Sequence, residues 1–204
     1  MEPERGGVVL DQAQHAASSR RLRNFPRAAA GLRHSRAPCA RRVGPLAAVP
    51  PQGRRGGRSD HLRRIGDFGS DYFSTRQVSR LVKAWQPQFI ITLGDNNYPS
   101  GAAETIDRNV GQFYHEFIFP YQGRYGAGAQ SNRFFPCLGN HDWIATNARP
   151  YLDYFTLPGN ERYYTLTRGP VQLFCVDSDK HEPDGCTFDS PQGQWFQRQL
   201  AESK

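Results

Sequence analysis

Phe89-Ile90-Ile91-Thr92-Leu93-Gly94-Asp95-Asn96-Asn97-Tyr98 is the stretch whose reading decides the fold. Its first five residues favour strands, and the apolar run is too short for a typical helix, so it reads as a fully buried strand. Gly94 ends that strand and leaves the carboxylate of Asp95 at its C-terminal edge, where ligands bind in open α/β sheets. Asn96, Asn97 and Tyr98 add oxygen-bearing side chains before Pro99-Ser100-Gly101 closes the turn. A buried strand that feeds a carboxylate and then a phenol into one loop suits a metal or phosphate site. Taken alone, a Gly-Asp after a strand reads first as a turn.

Two further stretches shift that balance. Ile65-Gly66-Asp67-Phe68-Gly69 lies upstream, and Phe134-Phe135-Pro136-Cys137-Leu138-Gly139-Asn140-His141-Asp142-Trp143 downstream. Each sets an oxygen donor just after a glycine, and the second follows an apolar segment. Asp67 and Asp95 are 28 positions apart, close to the roughly 30 residues of one βαβ unit. Asp95 and Asn140 are 45 apart, room for a second crossover with an insertion. Asp, Asp, Tyr, Asn and His at neighbouring strand ends form an oxygen and nitrogen donor set for hard or borderline metals.

Gly66-Asp67-Phe68-Gly69, Gly94-Asp95-Asn96-Asn97-Tyr98 and Gly139-Asn140-His141-Asp142 resemble the GDxG, GDxxY and GNH(D/E) motifs of the calcineurin-like metallophosphoesterases. The tyrosine of the second motif is similar to that of the purple acid phosphatase (tartrate-resistant acid phosphatase-like) branch. The resemblance covers residues 65–204 and implies an α/β fold, the first half-sheet of an αββα sandwich with its crossover helices. It implies metal-dependent hydrolysis of phosphomonoesters, of the acid phosphatase type, at a dinuclear centre. Asp67 would bind the first metal, Asp95 would bridge both, Tyr98 would bind the first as a phenolate favouring Fe(III), and Asn140 would bind the second, which would be Fe(II), Zn(II) or Mn(II). His141 would be the catalytic residue, hydrogen-bonding phosphate or protonating the leaving alkoxide. Asp142 would either orient His141 or serve as a turn carboxylate. The implied substrates are small phosphate esters or phosphoproteins. A phosphodiesterase or nucleotidase of the same fold is the alternative. The family's remaining histidine motifs, VxxH and GHxH, match nothing after Asn140, where the other histidines are His141 and His181. Residues 65–204 are therefore expected to be the N-terminal portion of a domain whose C-terminal portion lies beyond them.

The net charge of +7 is unevenly placed. Residues 1–64 hold 14 arginines against four acidic residues, a balance of +10, and the remainder holds 12 basic against 15 acidic, a balance of −3. The leader's Arg20-Arg21-Leu22-Arg23, Arg41-Arg42, Arg54-Arg55 and Arg63-Arg64 sit among Ala, Gly, Pro and Ser without hydrophobic periodicity. That composition reads as disordered. Prolines break any amphipathic transit peptide, and no clean apolar run follows Ser19-Arg20-Arg21-Leu22 as a twin-arginine signal would need. Nucleic-acid binding through the arginine clusters is the functional alternative, although nucleic acid is not an expected partner. The strand that should precede Gly66 is Ser59-Asp60-His61-Leu62-Arg63-Arg64-Ile65, where two arginines stand in place of the Val or Ile of a buried parallel strand.

Val78, Leu81, Val82 and Trp85 at helical spacing predict a crossover helix with Ser74 as N-cap and Pro87 as its stop. Residues 104–118 read as a second helix with Ile106, Val110, Phe113 and Phe117 on one side and His115 off the stripe. Tyr121 to Asn132 is a Gly-rich loop, either a connection or a cover for the site. Arg162–Thr167 and Val171–Val176, separated by Arg168-Gly169-Pro170, predict a hairpin. His181 reads as a surface-loop histidine. Ser190 as N-cap, Pro191 at the first helical position and Trp195, Phe196 and Leu200 on one face predict a final helix. The four cysteines lack CxxC spacing, so no zinc knuckle is expected. Cys137 and Cys175 read as buried thiols and Cys186 as a loop residue. No apolar run approaches the length of a membrane span.

Overall fold

The computed structural model describes residues 8–10 and 61–203. The predicted α/β arrangement is present: three parallel strands with a crossover helix, a second sheet, and helices around both. The first sheet has the order β2-β3-β4, with β2 Leu62–Ile65, β3 Phe89–Thr92 and β4 Phe134–Phe135. Its strands run parallel, Ile65 beside Thr92 and Ile90 beside Phe134. β3 is central and buried at every position, as its apolar run requires. β2 forms despite its arginines because it is the edge strand among the described residues. Ile65 turns inward, Arg64 is exposed, and the Arg63 guanidinium lies 4.9 Å from the centre of the Trp85 ring. Leu62, Arg63 and Arg64, at the end of the segment expected to be disordered, thus belong to a strand.

The second sheet has the order β1-β6-β5: β1 Val8–Leu10, β5 Tyr164–Arg168 and β6 Val171–Cys175. β5 and β6 are the predicted antiparallel hairpin, and β1 pairs with β6 in parallel. Val8-Val9-Leu10 is a short β-favouring run inside the segment expected to be disordered, and the expectation is corrected there. The arginine clusters from Arg20 to Arg55 and their nucleic-acid alternative lie outside the described residues.

The crossover helix α1 spans Phe73–Ala84. It starts ahead of Ser74, which is not its cap, and buries Thr75, Ser79 and Val82, whereas Val78, Leu81 and Trp85 stay exposed. The predicted stripe is therefore real as a period and wrong as a buried face. The second predicted helix is broken: α2 Ala103–Ile106 passes through a π-helical turn, Asp107–Gly111, into α3 Gln112–Tyr114 and a 3₁₀ turn, His115–Phe117. Ile106, Val110, Phe113 and Phe117 are all buried, as expected. His115 is half-buried, and its Nδ1 lies 2.9 Å from the Gly111 carbonyl. The loop after Tyr121 is anchored at Asp107, which accepts hydrogen bonds from the Tyr121 and Tyr154 hydroxyls at 2.7 and 2.9 Å. Beyond β4 come α4 Asn140–Ile144 and α5 Arg149–Tyr154. The final helix, α6 Pro191–Glu202, has Ser190 as its N-cap, accepting from Gly193 N–H at 3.1 Å. Its apolar face is only half-buried, with Phe196 edge-on to Phe174 and Leu200 exposed. No described helix is long and apolar enough to cross a membrane.

Candidate metal centre

β2 and β3 deliver Asp67 and Asp95 through the same backbone device. Each aspartate follows a glycine and adopts the left-handed conformation, both at φ 52°. Such a conformation in a non-glycine residue costs on the order of 1–3 kcal/mol and persists only where surrounding contacts fix it. Here Asp67 N–H donates to the Gly94 carbonyl at 3.2 Å, Gly69 N–H to the Asp95 carbonyl at 3.3 Å, and Tyr98 N–H to the Gly69 carbonyl at 2.7 Å. The two loops pack so closely that a Cβ at position 69 would run into the Asn96 carbonyl. Glycine is required there by space.

Tyr98 stands between the two carboxylates. Its hydroxyl is 2.7 Å from Asp95 Oδ2 and 3.1 Å from Asp67 Oδ1, and one phenolic proton serves both. Burial, then the hydrogen bond and charge of Asp95, then Asp67, push the phenol far above its ordinary range. Asp95 is buried, and its other oxygen, Oδ1, accepts from His141 N–H at 3.0 Å. Asp67 is exposed. Asn140 opens α4 on the loop after β4, exposed, one residue before the N–H bound to Asp95. Three of the four predicted donors thus share one hydrogen-bonded cluster, and the fourth stands on the adjacent loop. His141 packs its ring on Tyr98 with centroids 4.4 Å apart. Its Nδ1 lies 2.6 Å from the Pro99 carbonyl. A carbonyl only accepts, so Nδ1 carries the proton and Nε2 remains for other work.

Asp142 does not orient His141. It is buried and accepts from Asn96 N–H at 3.1 Å, Asn96 Nδ2 at 2.9 Å and Gly139 N–H at 2.9 Å, which resolves the alternative in favour of a structural carboxylate. Burial outweighs those donors and raises its carboxyl to about 6. Asn96 also accepts from Thr92 Oγ1 at 2.6 Å and donates to the Cys137 carbonyl at 2.7 Å, so the second and third loops are joined through one amide. Asn97 Oδ1 accepts from Asn109 Nδ2 at 2.9 Å, and the same nitrogen reaches the Tyr98 carbonyl at 2.8 Å. The π-helical turn presents Asn109 to that loop, a role for which the helical period gave no warning. His181 remains a loop residue, Nδ1 2.6 Å from Asp179 Oδ1.

The family model of the calcineurin-like phosphoesterases matches residues 64–201, about two-thirds of the chain. The chain belongs to the calcineurin-like phosphoesterase family. No curated protein and no solved structure matches it. A calcineurin-like phosphoesterase is a metal-dependent hydrolase of phosphate esters, and the family generally uses a dinuclear metal centre. Among the described residues of this phosphoesterase, no three His, Cys, Asp or Glu side chains gather as a cation cage. The oxygen-bearing side chains at its strand ends are a different set: two carboxylates, a phenol and a neutral amide. They fit a cation on chemical grounds: two carboxylates held by one shared phenolic proton form an oxygen cluster that a hard cation would satisfy in the proton's place.

Proposed function

We propose that this phosphoesterase is a phosphomonoesterase of the purple acid phosphatase branch, with Asp67, Asp95, Tyr98 and Asn140 as metal donors. The single observation that carries the reading is the Tyr98 hydroxyl within hydrogen-bond distance of both Asp67 and Asp95. A phenol in that position is a ligand chemistry that favours Fe(III), with Fe(II), Zn(II) or Mn(II) as the companion. When bound, such a pair of cations supplies an acidified water and a clamp for the attacking and leaving oxygens.

The chain's own residues supply the rest. Asp95 is fixed at both oxygens before any cation arrives, by His141 N–H and by the Tyr98 hydroxyl. Tyr98 must give up its proton as a cation enters, so binding releases protons and weakens as pH falls. Asn140, exposed and uncharged, adds an oxygen without a further negative charge to repel phosphate. His141 keeps its Nδ1 proton on the Pro99 carbonyl, and in the doubly protonated ring Nε2–H would hydrogen-bond phosphate or pass its proton to the departing alkoxide, returning the ring to neutral. The substrates are read as small phosphate esters or phosphoproteins.

The full-length protein, loaded with Fe(III) and Zn(II), should show a visible phenolate-to-iron absorption band that disappears in Tyr98→Phe. It should also cleave p-nitrophenyl phosphate in preference to bis(p-nitrophenyl) phosphate. A band that survives in Tyr98→Phe would remove Tyr98 from the donor set, and preferential cleavage of the diester would replace the monoesterase reading with a phosphodiesterase.

A further inference from the structure

We propose that Cys137 and Cys175 are the two halves of a disulfide that ties the loop carrying Asn140 and His141 to the end of β6. The two sulfurs lie 2.6 Å apart, with Cys175 Sγ–H directed at Cys137 Sγ. Even non-bonded carbons, smaller than sulfur, rest about 3.5–4.0 Å apart, so two thiols side by side would push each other away. The positions therefore suit a covalent pair. Both residues are buried, and they stand at the ends of strands from different sheets: Cys137 lies in the loop after β4, and Cys175 ends β6. The main chain already converges there. The Pro136 carbonyl accepts from the Tyr151 hydroxyl at 2.6 Å and the Tyr164 hydroxyl at 2.8 Å, and Cys175 Sγ is 4.0 Å from it. Closing the sulfurs from 2.6 Å to the roughly 2.05 Å of a disulfide is a shift of about half an ångström.

The void beside the pair is about 10 Å³ and walled by Ile91, Phe135, Leu166, Leu173 and Tyr164, whose hydroxyl is taken by the Pro136 carbonyl. That is at the lower limit of what one water occupies, about 10–15 Å³, and the walls are apolar. Burial also raises the Cys175 thiol well above its usual range, so a reactive thiolate is not available inside the folded core. The bond consequently forms while the chain is still open. One cysteine attacks a disulfide of the glutathione class and expels one thiol from it, and the second cysteine attacks the mixed disulfide so formed and expels the other. The two thiols lose two protons and two electrons, the Sγ–Sγ bond forms, and the oxidant leaves as two thiols. Once the core has closed, small reductants cannot reach the bond. Cys137 stands two residues before Gly139, whose N–H holds Asp142, so the link would fix the base of the loop that carries the Asn140 donor. The inference is independent of the catalytic reading.

The test uses the full chain with Cys39→Ser and Cys186→Ser, refolded from denaturant in glutathione and glutathione disulfide. Alkylation with N-ethylmaleimide in denaturant should add nothing, and the intact mass should be lighter by two hydrogen atoms. Dithiothreitol applied to the native protein should change neither result, whereas dithiothreitol in denaturant should expose two alkylatable thiols. Two adducts on the refolded, never-reduced variant would overturn the proposal. Should that variant not fold, a peptide map of the unsubstituted protein decides. A Cys137–Cys175 linked peptide supports the bond, and free Cys137 and Cys175, or either one linked to Cys39 or Cys186, overturns it.

Discussion

The loops Gly66-Asp67-Phe68 and Gly94-Asp95-Asn96 are nearly the same piece of backbone. Each ends a parallel strand, and each holds its aspartate at φ 52°. They differ in what secures them. Phe68 is buried edge-on against Tyr114 and Phe134, centroids 5.6 and 6.4 Å away, so the first loop is anchored by apolar packing. Asn96 is buried among Thr92, Cys137 and Asp142, so the second is anchored by hydrogen bonds. The edge position of β2 leaves Asp67 exposed, and the central position of β3 buries Asp95. Similar local conformations thus present two carboxylates in different dielectric surroundings, one adjustable and one fixed.

The strongest way to break this contrast is to exchange anchors. Asn96→Leu takes the Nδ2 donor from the buried Asp142 carboxylate and leaves the Thr92 hydroxyl and the Cys137 carbonyl without their Asn96 partner, and should cost roughly 3 kcal/mol or more, or prevent folding. Phe68→Leu keeps an apolar anchor and should cost about 1–2 kcal/mol. Urea unfolding of both variants measures the difference, and equal losses would show that the two loops are held alike.

Buried carboxylates sharpen it through pH. Asp142 is raised to about 6 and Asp177 to about 7, both chiefly by burial, the latter despite hydrogen bonds from Asp179 N–H and Trp143 Nε1. In the cation-free protein the folded state keeps these protons where the unfolded chain, with ordinary carboxyl groups, has lost them. Their contribution to stability therefore falls as pH rises from about 4 to 7, by an amount on the order of a few kcal/mol. Asp177→Asn should remove the upper part of that slope. An unchanged pH profile of the unfolding midpoint in the variant would contradict the assignment.

The aspartates themselves come next. Asp95→Ala strips partners from His141 N–H and the Tyr98 hydroxyl and should cost about 1–3 kcal/mol in the cation-free protein. Asp67→Ala removes an exposed side chain and should stay near about 0.5 kcal/mol. An effect of similar size to that at Asp67 is expected on the edge strand: Arg63→Ala loses its contact with Trp85 and should cost about 0.5 kcal/mol. Thermal melts order the three variants, and a larger loss at Asp67 than at Asp95 would reverse the account of edge and centre.

Local chemistry made several of these features legible. The apolar run at Phe89, the glycines before Asp67, Asp95 and Asn140, and the Ser190-Pro191 helix start each encode their element within a few residues. The hairpin at Gly169 does the same. Elsewhere the period was readable and the burial was not. α1 has a helical repeat at Val78, Leu81, Val82 and Trp85, yet it buries Thr75 and Ser79 instead of most of that stripe. Thr75 is drawn inward because its hydroxyl donates to the Phe68 carbonyl at 3.1 Å. Asn96 and Asn97 were visible as oxygen-bearing neighbours of Asp95, but their partners lie up to 46 positions away, where no local pattern points.

The sequence by itself determined where strands end and which oxygen-bearing side chains stand at those ends, because turn glycines and apolar runs act over a few residues. Only the tertiary structure decided that Tyr98 would reach both aspartates, that Asp142 would turn away from His141, and that an edge strand would tolerate arginines. Those outcomes depend on burial and on partners far apart in the chain, and neither exists until the strands have packed side by side.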